Sequence, residues 1–482
     1  MSANEFAPTE IVNDLHWLSL TELAQLLVSG AASSRDIVAT YLDRIAALDS
    51  RLHAFIEVYR DDALAAAASA DRERRSGAAR GPLHGLPIAI KDLVHIRGRI
   101  TTAGSKARPH GIAAETASAA DHLLAAGMIP LGKTHLVEFA YGAWGRNAPM
   151  GAPWNPWDTK TQRVAGGSSS GSAVAVAAGL APAAVGSDTG GSIRIPSGLC
   201  GLTGLKPTYG VISLAGVVPL ATTLDSLGPL ARNVDDAALL TAVMSGPDPR
   251  DPATLAAPAI DFAGAMAAEP DIAGMRITAL AVDQFHWPAM RDVLDAREAA
   301  LATLRALGAR IDEERVPFDL ENVMLRSGRI IAAEAWALHR AYIEDQTQPF
   351  DPGVRSRLLA AKAISAADYI DELAMRRKIA AAFTDWMRSR DALLTPTLPI
   401  TAVPLAEVDE ATTPLATFTR AANYLGICAL SLPAGFSPEG LPIGVQLMGA
   451  PFADATLVRI GRAFQRATDW HRRRPDLSAW SA

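Results

Sequence analysis

The chain carries two glycine- and serine-rich stretches, Gly166-Gly167-Ser168-Ser169-Ser170-Gly171-Ser172 and Ser187-Asp188-Thr189-Gly190-Gly191-Ser192-Ile193-Arg194-Ile195-Pro196. They lie in a region, residues 164–231, whose only charged side chains are Asp188, Arg194, Lys206 and Asp225. Small residues let backbone segments approach each other closely, and a charge-poor segment is suited to burial. We therefore expect this region to form the interior of the protein, packed against other backbone or against a ligand.

Outward from this region, segments of strand and helix character alternate along the chain. The apolar runs that predict strands are residues 54–59, 86–90, 128–131, 275–282, 392–399 and 429–433. Spacing and end signals predict helices over residues 20–28, 36–48, 61–75, 115–126, 292–307, 329–347, 366–388 and 455–468. Such alternation predicts an α/β fold in which helices cover both faces of a sheet.

Length and composition narrow the class of protein further. A chain of 482 residues could hold three domains at about 150 residues each, or one large α/β domain. With 49% hydrophobic and 20% charged residues, the chain is too apolar to be a long disordered protein.

The charge pattern and the cysteines disfavour several functional classes. The net charge is −6 and the one basic cluster, residues 471–474, is expected to be a solvated tail, so nucleic acid is not an expected partner. The two cysteines, Cys200 and Cys428, are too few and too far apart to form a disulfide framework, and their spacing is not that of metal ligands. The N-terminus has no signal-peptide pattern, and the longest uncharged apolar stretch, residues 173–185, is too short to cross a bilayer. These features predict a soluble cytoplasmic protein without membrane contact.

Two motifs match known catalytic patterns by letter but not by context. Residues 127–134 satisfy G-x-x-x-x-G-K-[ST], yet a predicted helix precedes them and Pro130 has no N–H to offer a phosphate. Residues 167–171 satisfy G-x-S-x-G, yet the preceding residues 157–164 are polar where a nucleophile elbow needs a strand. The sequence therefore disfavours both an NTPase and an α/β-hydrolase.

A third pattern contains the parts that acyl transfer without histidine requires. Ser192 follows two glycines, so successive N–H groups can turn toward one oxyanion. Lys91 ends an apolar strand, and burial there would favour the neutral amine, which can act as a base toward a serine hydroxyl. In an extended chain the side chain of Asp92 points to the opposite face, away from Lys91.

These residues resemble the amidase signature family, whose catalysis uses a Ser–cis-Ser–Lys triad. The family's signature matches residues 166–196, including the separation of 24 positions between Ser168 and Ser192. Further matching blocks are Gly85-Leu86-Pro87-Ile88-Ala89-Ile90-Lys91-Asp92, Gly132-Lys133-Thr134, Asn155-Pro156-Trp157-Asp158, Gly204-Leu205-Lys206-Pro207-Thr208 and Leu441-Pro442-Ile443-Gly444-Val445-Gln446. One departure is Ser170, where the usual family form G-G-S-S-G-G-S has a glycine.

The resemblance implies a role for each matching residue. Ser192 is expected to be the nucleophile, Ser168 the proton shuttle on a cis peptide bond, and Lys91 the general base. The N–H groups expected to form the oxyanion hole are those of Thr189, Gly190, Gly191 and Ser192. No metal or cofactor is implied.

The neighbours of the triad are expected to be structural. Asp188 and Arg194 are nearly alone in charge-poor sequence, so we expect a buried pair that holds the nucleophile loop. Ser169 is expected to support the triad, and Lys206 to have a structural role.

The resemblance also implies one large mixed β-sheet with helices on both faces, in a single domain over residues 1–482. Its expected parts are a helical N-terminal part (1–80), a catalytic core (81–250), a helical layer (285–390), and C-terminal strands with a helix (391–482). Substrate selection is expected from residues 138–146 and 417–428. The aromatic side chains there that predict an apolar pocket are Phe139, Tyr141, Trp144, Phe418 and Tyr424. Core packing explains each of them equally well.

The implied reaction is hydrolysis of a small-molecule carboxylic amide by a stand-alone enzyme, for which a homodimer is an open alternative. One family branch is instead the glutamine-hydrolysing component of an aminoacyl-tRNA amidotransferase, which this chain resembles in residues 204–210. That branch carries an acidic residue shortly before the asparagine that matches Asn423, whereas this chain has Ala416 seven places earlier and no acid up to Asn423. The missing acid favours the stand-alone amidase. The amidotransferase component, the carbamoyl- or urea-type amide hydrolase and the non-catalytic binding relative stay open as alternatives.

Overall fold

The computed structural model of the chain describes residues 15–107, 111–267, 269–410 and 413–480. The strands are β1 (Phe55–Val58), β2 (Pro87–Lys91), β3 (Ile129–Thr134), β4 (Ala183–Asp188), β5 (Thr203–Lys206), β6 (Ser226–Ala231), β7 (Arg276–Leu280), β8 (Arg310–Glu314), β9 (Ala392–Pro396), β10 (Ala429–Phe436) and β11 (Pro442–Met448). Within the described residues these eleven strands form one sheet, in the order β1-β3-β2-β4-β6-β5-β10-β11-β9-β7-β8.

The α-helices connect and cover these strands. They are α1 (Leu20–Ser29), α2 (Ser34–Leu52), α3 (Arg60–Arg75), α4 (Ser118–Ala125), α5 (Ser170–Ala177), α6 (Arg194–Cys200), α7 (Val234–Met244), α8 (Pro252–Leu255), α9 (Phe262–Ala267), α10 (Arg291–Ala306), α11 (Leu320–His339), α12 (Pro352–Ala360), α13 (Ala366–Met387), α14 (Arg420–Leu425) and α15 (Asp454–Ala467). Within the described residues, no helix combines the length and the apolar character that crossing a membrane requires.

The sheet is mixed, as predicted. Strand β2 runs parallel to β3 and β4, and β7 runs parallel to β8 and β9. Between these parallel parts, the pairs β4–β6, β6–β5, β5–β10, β10–β11 and β11–β9 are antiparallel. Every residue of β2, β4, β5 and β6 is buried. The charge-poor region 164–231 therefore lies in the interior, because three of these four strands belong to it.

Helices cover both faces of the sheet, which confirms the predicted fold class. Strand β10 shows the alternation: Gly461 of α15 packs against Leu430 and Leu432 on one face. Ser431, which points to the other face, is paired with Gly204 of β5, and Gly204 packs against α6. The division of the chain into the four predicted parts of one domain stays a prediction.

Some predicted elements differ from the observed ones for physical reasons. The helix predicted over 329–347 is α11, which begins earlier, at Leu320, after Asp319 accepts a hydrogen bond from Asn322 N–H as an N-cap. Strand β8 was not predicted, because four of its five residues are charged and it lies at the edge of the sheet. Strands β4 and β5 were not predicted either, since their glycine, serine and charged residues break the apolar pattern.

Candidate active site

Lys91 lies at the carboxyl end of β2, and its side chain is fully buried. Its Nζ atom is within hydrogen-bond distance of three hydroxyl oxygens: Ser168 Oγ at 2.7 Å, Ser169 Oγ at 2.9 Å and Ser187 Oγ at 2.8 Å. The fold therefore brings together the lysine and the serines of both signature stretches.

The electrostatic surroundings of Lys91 favour its neutral form. The adjacent carboxylate of Asp92 turns away and pairs with Lys133, at 3.0 Å. Burial lowers the pKa of Lys91 to about 7, and the charges of Asp188 and Asp225 only partly oppose this effect. Near neutral pH a substantial fraction of this amine therefore has a free electron pair and can accept a proton.

Ser168 and Ser169 occupy the loop that leads into α5. The Gly167–Ser168 peptide bond is cis. The carbonyl of Ser168 accepts a hydrogen bond from Val137 N–H at 3.2 Å, and Ser169 N–H donates to the carbonyl of Ser192 at 3.2 Å. The two glycine- and serine-rich stretches are thus in direct contact.

Ser192 lies in the turn between β4 and α6, where it is 7% exposed and lines a cavity. The carboxylate of Asp188 holds this turn by accepting hydrogen bonds from Gly191 N–H at 2.6 Å and Ile193 N–H at 3.1 Å. It also accepts two from the Arg194 guanidinium, at 3.0 and 2.9 Å. Burial raises the pKa of Asp188, but the Arg194 charge and these hydrogen bonds outweigh it and hold the pKa at about 2. The ionised, buried pair therefore fixes the shape of the turn.

The turn differs from the predicted oxyanion hole at one position. Gly191 N–H is already bonded to Asp188, so it cannot also serve a substrate oxygen. Among the described residues, no acceptor bonds the backbone N–H of Thr189, Gly190 or Ser192, and all three residues line the cavity. The structure thus offers three of the four predicted donors.

The sequence assigned no role to three residues that support the site. Ser187 binds Lys91, as described above. Asp225 accepts a hydrogen bond from Thr189 Oγ1 at 2.5 Å, and Asn423 Oδ1 accepts one from Arg194 Nη2 at 2.7 Å. Asp225 did stand out as one of the four charges in residues 164–231, which is the signal that could have identified it.

Two lysines of the matching sequence blocks have structural contacts. Lys133, part of the motif that resembles a phosphate loop, lies inside β3, and its Nζ donates to Asp92 at 3.0 Å and to the Val94 carbonyl at 2.8 Å. Lys206 is buried and donates to the Pro207 carbonyl at 2.8 Å. A strand in place of a loop explains why the phosphate-loop motif has no phosphate-binding geometry here.

A cavity of about 260 Å³ opens beside Ser192. Its described lining residues are Ala140, Tyr141, Gly142, Ala143, Trp144, Thr189, Gly190, Ser192, Ile195, Leu220, Met324, Ile331, Arg357, Glu410, Thr413, Pro414, Leu415, Ala416 and Arg420. Tyr141 and Trp144, two of the predicted pocket aromatics, line this cavity, and their part in substrate selection stays a prediction. The cavity is not purely apolar, however, because three charged side chains lie in its wall.

Three of the predicted pocket aromatics belong to the core instead. Phe139 stacks on His339, with ring centroids 4.0 Å apart, and is 1% exposed. Phe418 packs edge-on against Phe285 at 4.8 Å, and Tyr424 is completely buried. For these three residues the core-packing interpretation of the sequence is the right one, because each apolar ring is enclosed by other side chains.

The charged residues of the cavity wall are Arg357, Arg420 and Glu410, none of which the sequence singled out. Arg357 Nη1 pairs with Glu410 Oε2 at 2.9 Å, and Arg357 Nη2 donates to the Tyr141 carbonyl at 2.7 Å. Arg420 Nη1 donates to the Met324 carbonyl at 3.0 Å. Two guanidinium groups and one carboxylate thus surround the space next to Ser192.

The mixed sheet and the serine–lysine cluster define an enzyme that acts on amide C–N bonds. The chain belongs to the amidase family, whose model, described as Amidase, matches residues 36–458. The resemblance found in the sequence is thereby confirmed.

Known relatives cover nearly the whole chain. The A component of the glutamyl-tRNA(Gln) amidotransferase of Chloroflexus aggregans is 38% identical, over 97% of this chain and 100% of that protein. A chain of a solved vestigial protein complex, described as revealing the evolutionary origins of an s-triazine catabolic enzyme, is 34% identical with a TM-score of 0.87, covering 93% of this chain and 98% of that one. The peptide amidase of Stenotrophomonas maltophilia is 32% identical with a TM-score of 0.83, covering 95% and 98%.

These relatives overturn the predicted set of partners. Net charge and the supposed tail at residues 471–474 led to the expectation of a small-molecule enzyme without a nucleic-acid partner. Full-length relatives that are named as one component of a tRNA amidotransferase make that exclusion wrong. Net charge was a poor guide because it averages over the surface and says nothing about local patches or about other components of a complex.

Proposed function

We propose that the chain hydrolyses a carboxamide through a serine acyl-enzyme, with Ser192 as nucleophile, Ser168 as proton shuttle and Lys91 as general base. The observation that carries the proposal is the 2.7 Å contact between Lys91 Nζ and Ser168 Oγ in a fully buried site. A serine hydroxyl is a weak nucleophile until a base accepts its proton. A lysine with a pKa of about 7 can do so near neutral pH.

In the first step, Ser192 Oγ attacks the carbonyl carbon, and its proton passes to Ser168 Oγ as the Ser168 proton passes to Lys91 Nζ. The carbonyl oxygen becomes an oxyanion, which the N–H groups of Thr189, Gly190 and Ser192 stabilise. The proton returns through Ser168 to the leaving nitrogen, and the C–N bond breaks. Water then attacks the acyl-enzyme by the same relay, and the acid leaves.

We further propose glutamine as the amide, in the role of the glutamine-hydrolysing component of a tRNA-dependent amidotransferase. The full-length relatives support this alternative better than the stand-alone amidase that the sequence favoured. Arg357 and Arg420 offer partners for an α-carboxylate, and Glu410 offers one for an α-ammonium group. Glu410 would thus take the role of the acid that is missing at Ala416. This role fits the cytoplasmic location predicted from the sequence.

A second candidate is a stand-alone hydrolase of an amide that carries a carboxylate but no amine. The observation in its favour is the imbalance of two guanidinium groups over one carboxylate in the cavity wall. The carbamoyl- and urea-type amides that the sequence left open as substrates belong to this candidate class.

Ammonia release from matched substrates distinguishes the two candidates. The substrates are glutamine, its analogue without the α-amino group (glutaramate), and a carbamoyl-type amide with a carboxylate, each tested with Glu410→Gln and with Ser192→Ala as the inactive reference. Preference for glutamine that is lost in Glu410→Gln supports the glutaminase. Preference for glutaramate or the carbamoyl amide, unchanged in Glu410→Gln, supports the second candidate. Turnover that persists in Ser192→Ala contradicts both.

A further inference from the structure

A second cavity, of about 950 Å³, is lined by an unusual concentration of arginines. Those arginines are Arg232, Arg462, Arg466, Arg472, Arg473 and Arg474, and the carboxylates in the same lining are Glu22 and Asp235. None of its described lining residues lines the cavity beside Ser192. We refer to it as the arginine cavity. Six cations against two anions stand out on a chain whose net charge is −6.

The C-terminal cluster lines this cavity, and its arginines, Arg472, Arg473 and Arg474, are exposed, in agreement with the predicted solvation. His471 is half-buried, and residues 471–474 all line the cavity. The chain folds back because the Trp470 ring packs against Phe436, with centroids 6.1 Å apart, and Arg474 lies over the Trp17 ring at 5.1 Å. Packing therefore gathers charges that a free tail would disperse.

The two carboxylates of the arginine cavity are already engaged. Glu22 accepts a hydrogen bond from Ser19 N–H at 2.7 Å, as part of the N-terminal cap of α1. Asp235 accepts one from Arg462 Nε at 2.6 Å, and the Arg462 side chain is only 4% exposed. Neither acid forms an ion pair with Arg232 or Arg472.

Two of the remaining arginines, Arg232 and Arg472, line the cavity without forming an ion pair to a described residue. Arg232 donates to the carbonyls of Ala181 and Leu18, and Arg472 is exposed. Among the described residues, no carboxylate lies within 4.0 Å of either guanidinium. Like charges gathered in this way raise the free energy of the unoccupied state, which an anionic ligand would lower.

Two arginines of this cavity form exposed ion pairs with carboxylates outside its lining. A neighbouring depression of about 470 Å³ shares Arg466 and Arg472 with it. Arg466 pairs with Glu269 and Arg473 with Asp469, but these are exposed pairs, with side-chain exposures of 47% and 87% for the first. Exposed pairs are weak, at about 0–1 kcal/mol, so a ligand of higher charge can displace them.

We propose that the arginine cavity binds a ligand with several successive phosphate groups. Guanidinium groups bind phosphate oxygens in a bidentate manner, and one carboxylate ligand would satisfy only one of them. Six arginines in the lining of one cavity of about 950 Å³ fit a chain of anions better than a single anion. The shared chemistry has two sources, a free oligophosphate or the phosphodiester backbone of RNA.

Binding of two probes, tripolyphosphate and a short single-stranded RNA, tests the proposal by isothermal titration calorimetry at about 50 mM salt. The double variant Arg472→Glu/Arg473→Glu reverses two exposed charges of the cavity. The matched control, Arg291→Glu/Arg388→Glu, makes the same change at arginines that are 84% and 80% exposed and outside both cavities. Thermal unfolding verifies that both variants are folded.

We expect at least one probe to bind, with an affinity that falls with salt, by about tenfold or more in the cavity variant and by less than about twofold in the control. Tripolyphosphate bound more tightly than RNA assigns the site to a free oligophosphate, and the reverse order assigns it to a nucleic-acid backbone. The proposal is wrong if neither probe binds at roughly 1 mM, or if the two variants bind equally well. Because amide hydrolysis is not measured, this outcome is independent of the proposed function.

Discussion

The active site has two regions with opposite character. The first region, which we call the floor, consists of Lys91, Ser168, Ser169, Ser187 and Ser192, all at most 7% exposed. Lys91 lies in β2, Ser187 in β4, and the other three in the loops that lead into α5 and α6. The pocket wall consists of Tyr141, Trp144, Arg357, Glu410 and Arg420, from distant segments, with side-chain exposures of 32% for Arg357 and 42% for Glu410. The floor is enclosed and hydrogen-bonded, whereas the charged side chains of the wall at Arg357 and Glu410 are partly exposed to solvent. Under the proposed function, reaction chemistry and substrate choice are assigned to physically separable parts of the molecule.

The largest effect is expected in the floor, from Ser192→Ala. Removal of the hydroxyl removes the attacking atom, so kcat/KM for any amide substrate should fall by about 10⁴-fold or more. The matched control is Ser197→Ala on α6, which removes a buried hydroxyl that has no hydrogen-bond partner among the described residues. It should retain activity within a few-fold. A Ser192→Ala enzyme with a tenth of the original rate would exclude Ser192 as the nucleophile.

The pH dependence of the floor should reflect Lys91. The base must be neutral, and its pKa is lowered to about 7 by burial, so kcat/KM should rise with pH through that value and fall about tenfold per unit below it. Lys91→Met should lower kcat/KM by about 10³-fold. Asp225, whose burial raises its pKa to about 6, also titrates nearby, so Asp225→Asn is the control. It should keep an acidic limb, displaced to lower pH because the Asp225 charge no longer raises the pKa of Lys91. If the acidic limb of the pH profile vanishes in Asp225→Asn, the group that titrates is Asp225 and not Lys91.

The buried Asp188–Arg194 pair, which holds the turn that contains Ser192, is expected to contribute to stability. Asp188→Asn keeps the side-chain volume but leaves the buried Arg194 guanidinium without its counter-ion, which should lower the free energy of unfolding by about 3–5 kcal/mol. Urea denaturation measures it. Asp385→Asn makes the same change in an exposed pair with Arg388 and should cost about 0–1 kcal/mol. Equal losses in the two variants would show that burial of the Asp188–Arg194 pair is unimportant.

A smaller effect, confined to substrate binding, is expected in the wall. Arg420→Met should raise KM for a carboxylate-bearing amide by about 10- to 100-fold while kcat changes little, because a charge-assisted hydrogen bond is lost in ground state and transition state alike. A neutral amide of similar size provides the comparison and should lose little. An equal rise in KM for both amides would show that Arg420 stabilises the fold and does not bind the substrate carboxylate.

The smallest effect is expected from Tyr424→Phe, which tests whether Tyr424 belongs to the core or to the pocket wall. Tyr424 is completely buried, and its hydroxyl has no hydrogen-bond partner among the described residues. Its loss should change kcat/KM less than about twofold for any substrate and stability by less than about 1 kcal/mol. A substrate-dependent change in KM would return Tyr424 to the pocket wall.

The same division explains how much could be predicted from the sequence. Lys91, Ser168, Ser169 and Ser192 were found because the floor is built from nearly continuous, charge-poor stretches that match a family pattern. The α/β class was found because buried strands are short apolar runs between helices with clear end signals. Strand β4 was not predicted because it ends in a glycine followed by the serine and aspartate that begin the second signature stretch, and β5 was not predicted because its four residues include a glycine and a lysine.

The wall could not be predicted in the same way. Arg357 on α12 and Arg420 on α14 are far apart in the chain and look like surface charges until the fold brings both beside Ser192. Conversely, Phe139 and Phe418 look like pocket aromatics in the sequence but are enclosed by rings from distant segments, His339 and Phe285. Long-range packing decides these positions, and a local pattern carries no information about it.

The three hydroxyls around Lys91 have a consequence for the cost of moving its proton. A charged ammonium has three N–H donors, and the oxygens of Ser168, Ser169 and Ser187 at 2.7, 2.9 and 2.8 Å provide one acceptor for each. A neutral amine has two donors and one lone pair, and the same three groups satisfy it if one hydroxyl rotates to donate. Both protonation states therefore use one fixed set of heavy atoms. Proton transfer then requires the rotation of an O–H bond and no rearrangement of side chains, which keeps the reorganisation energy of the site small.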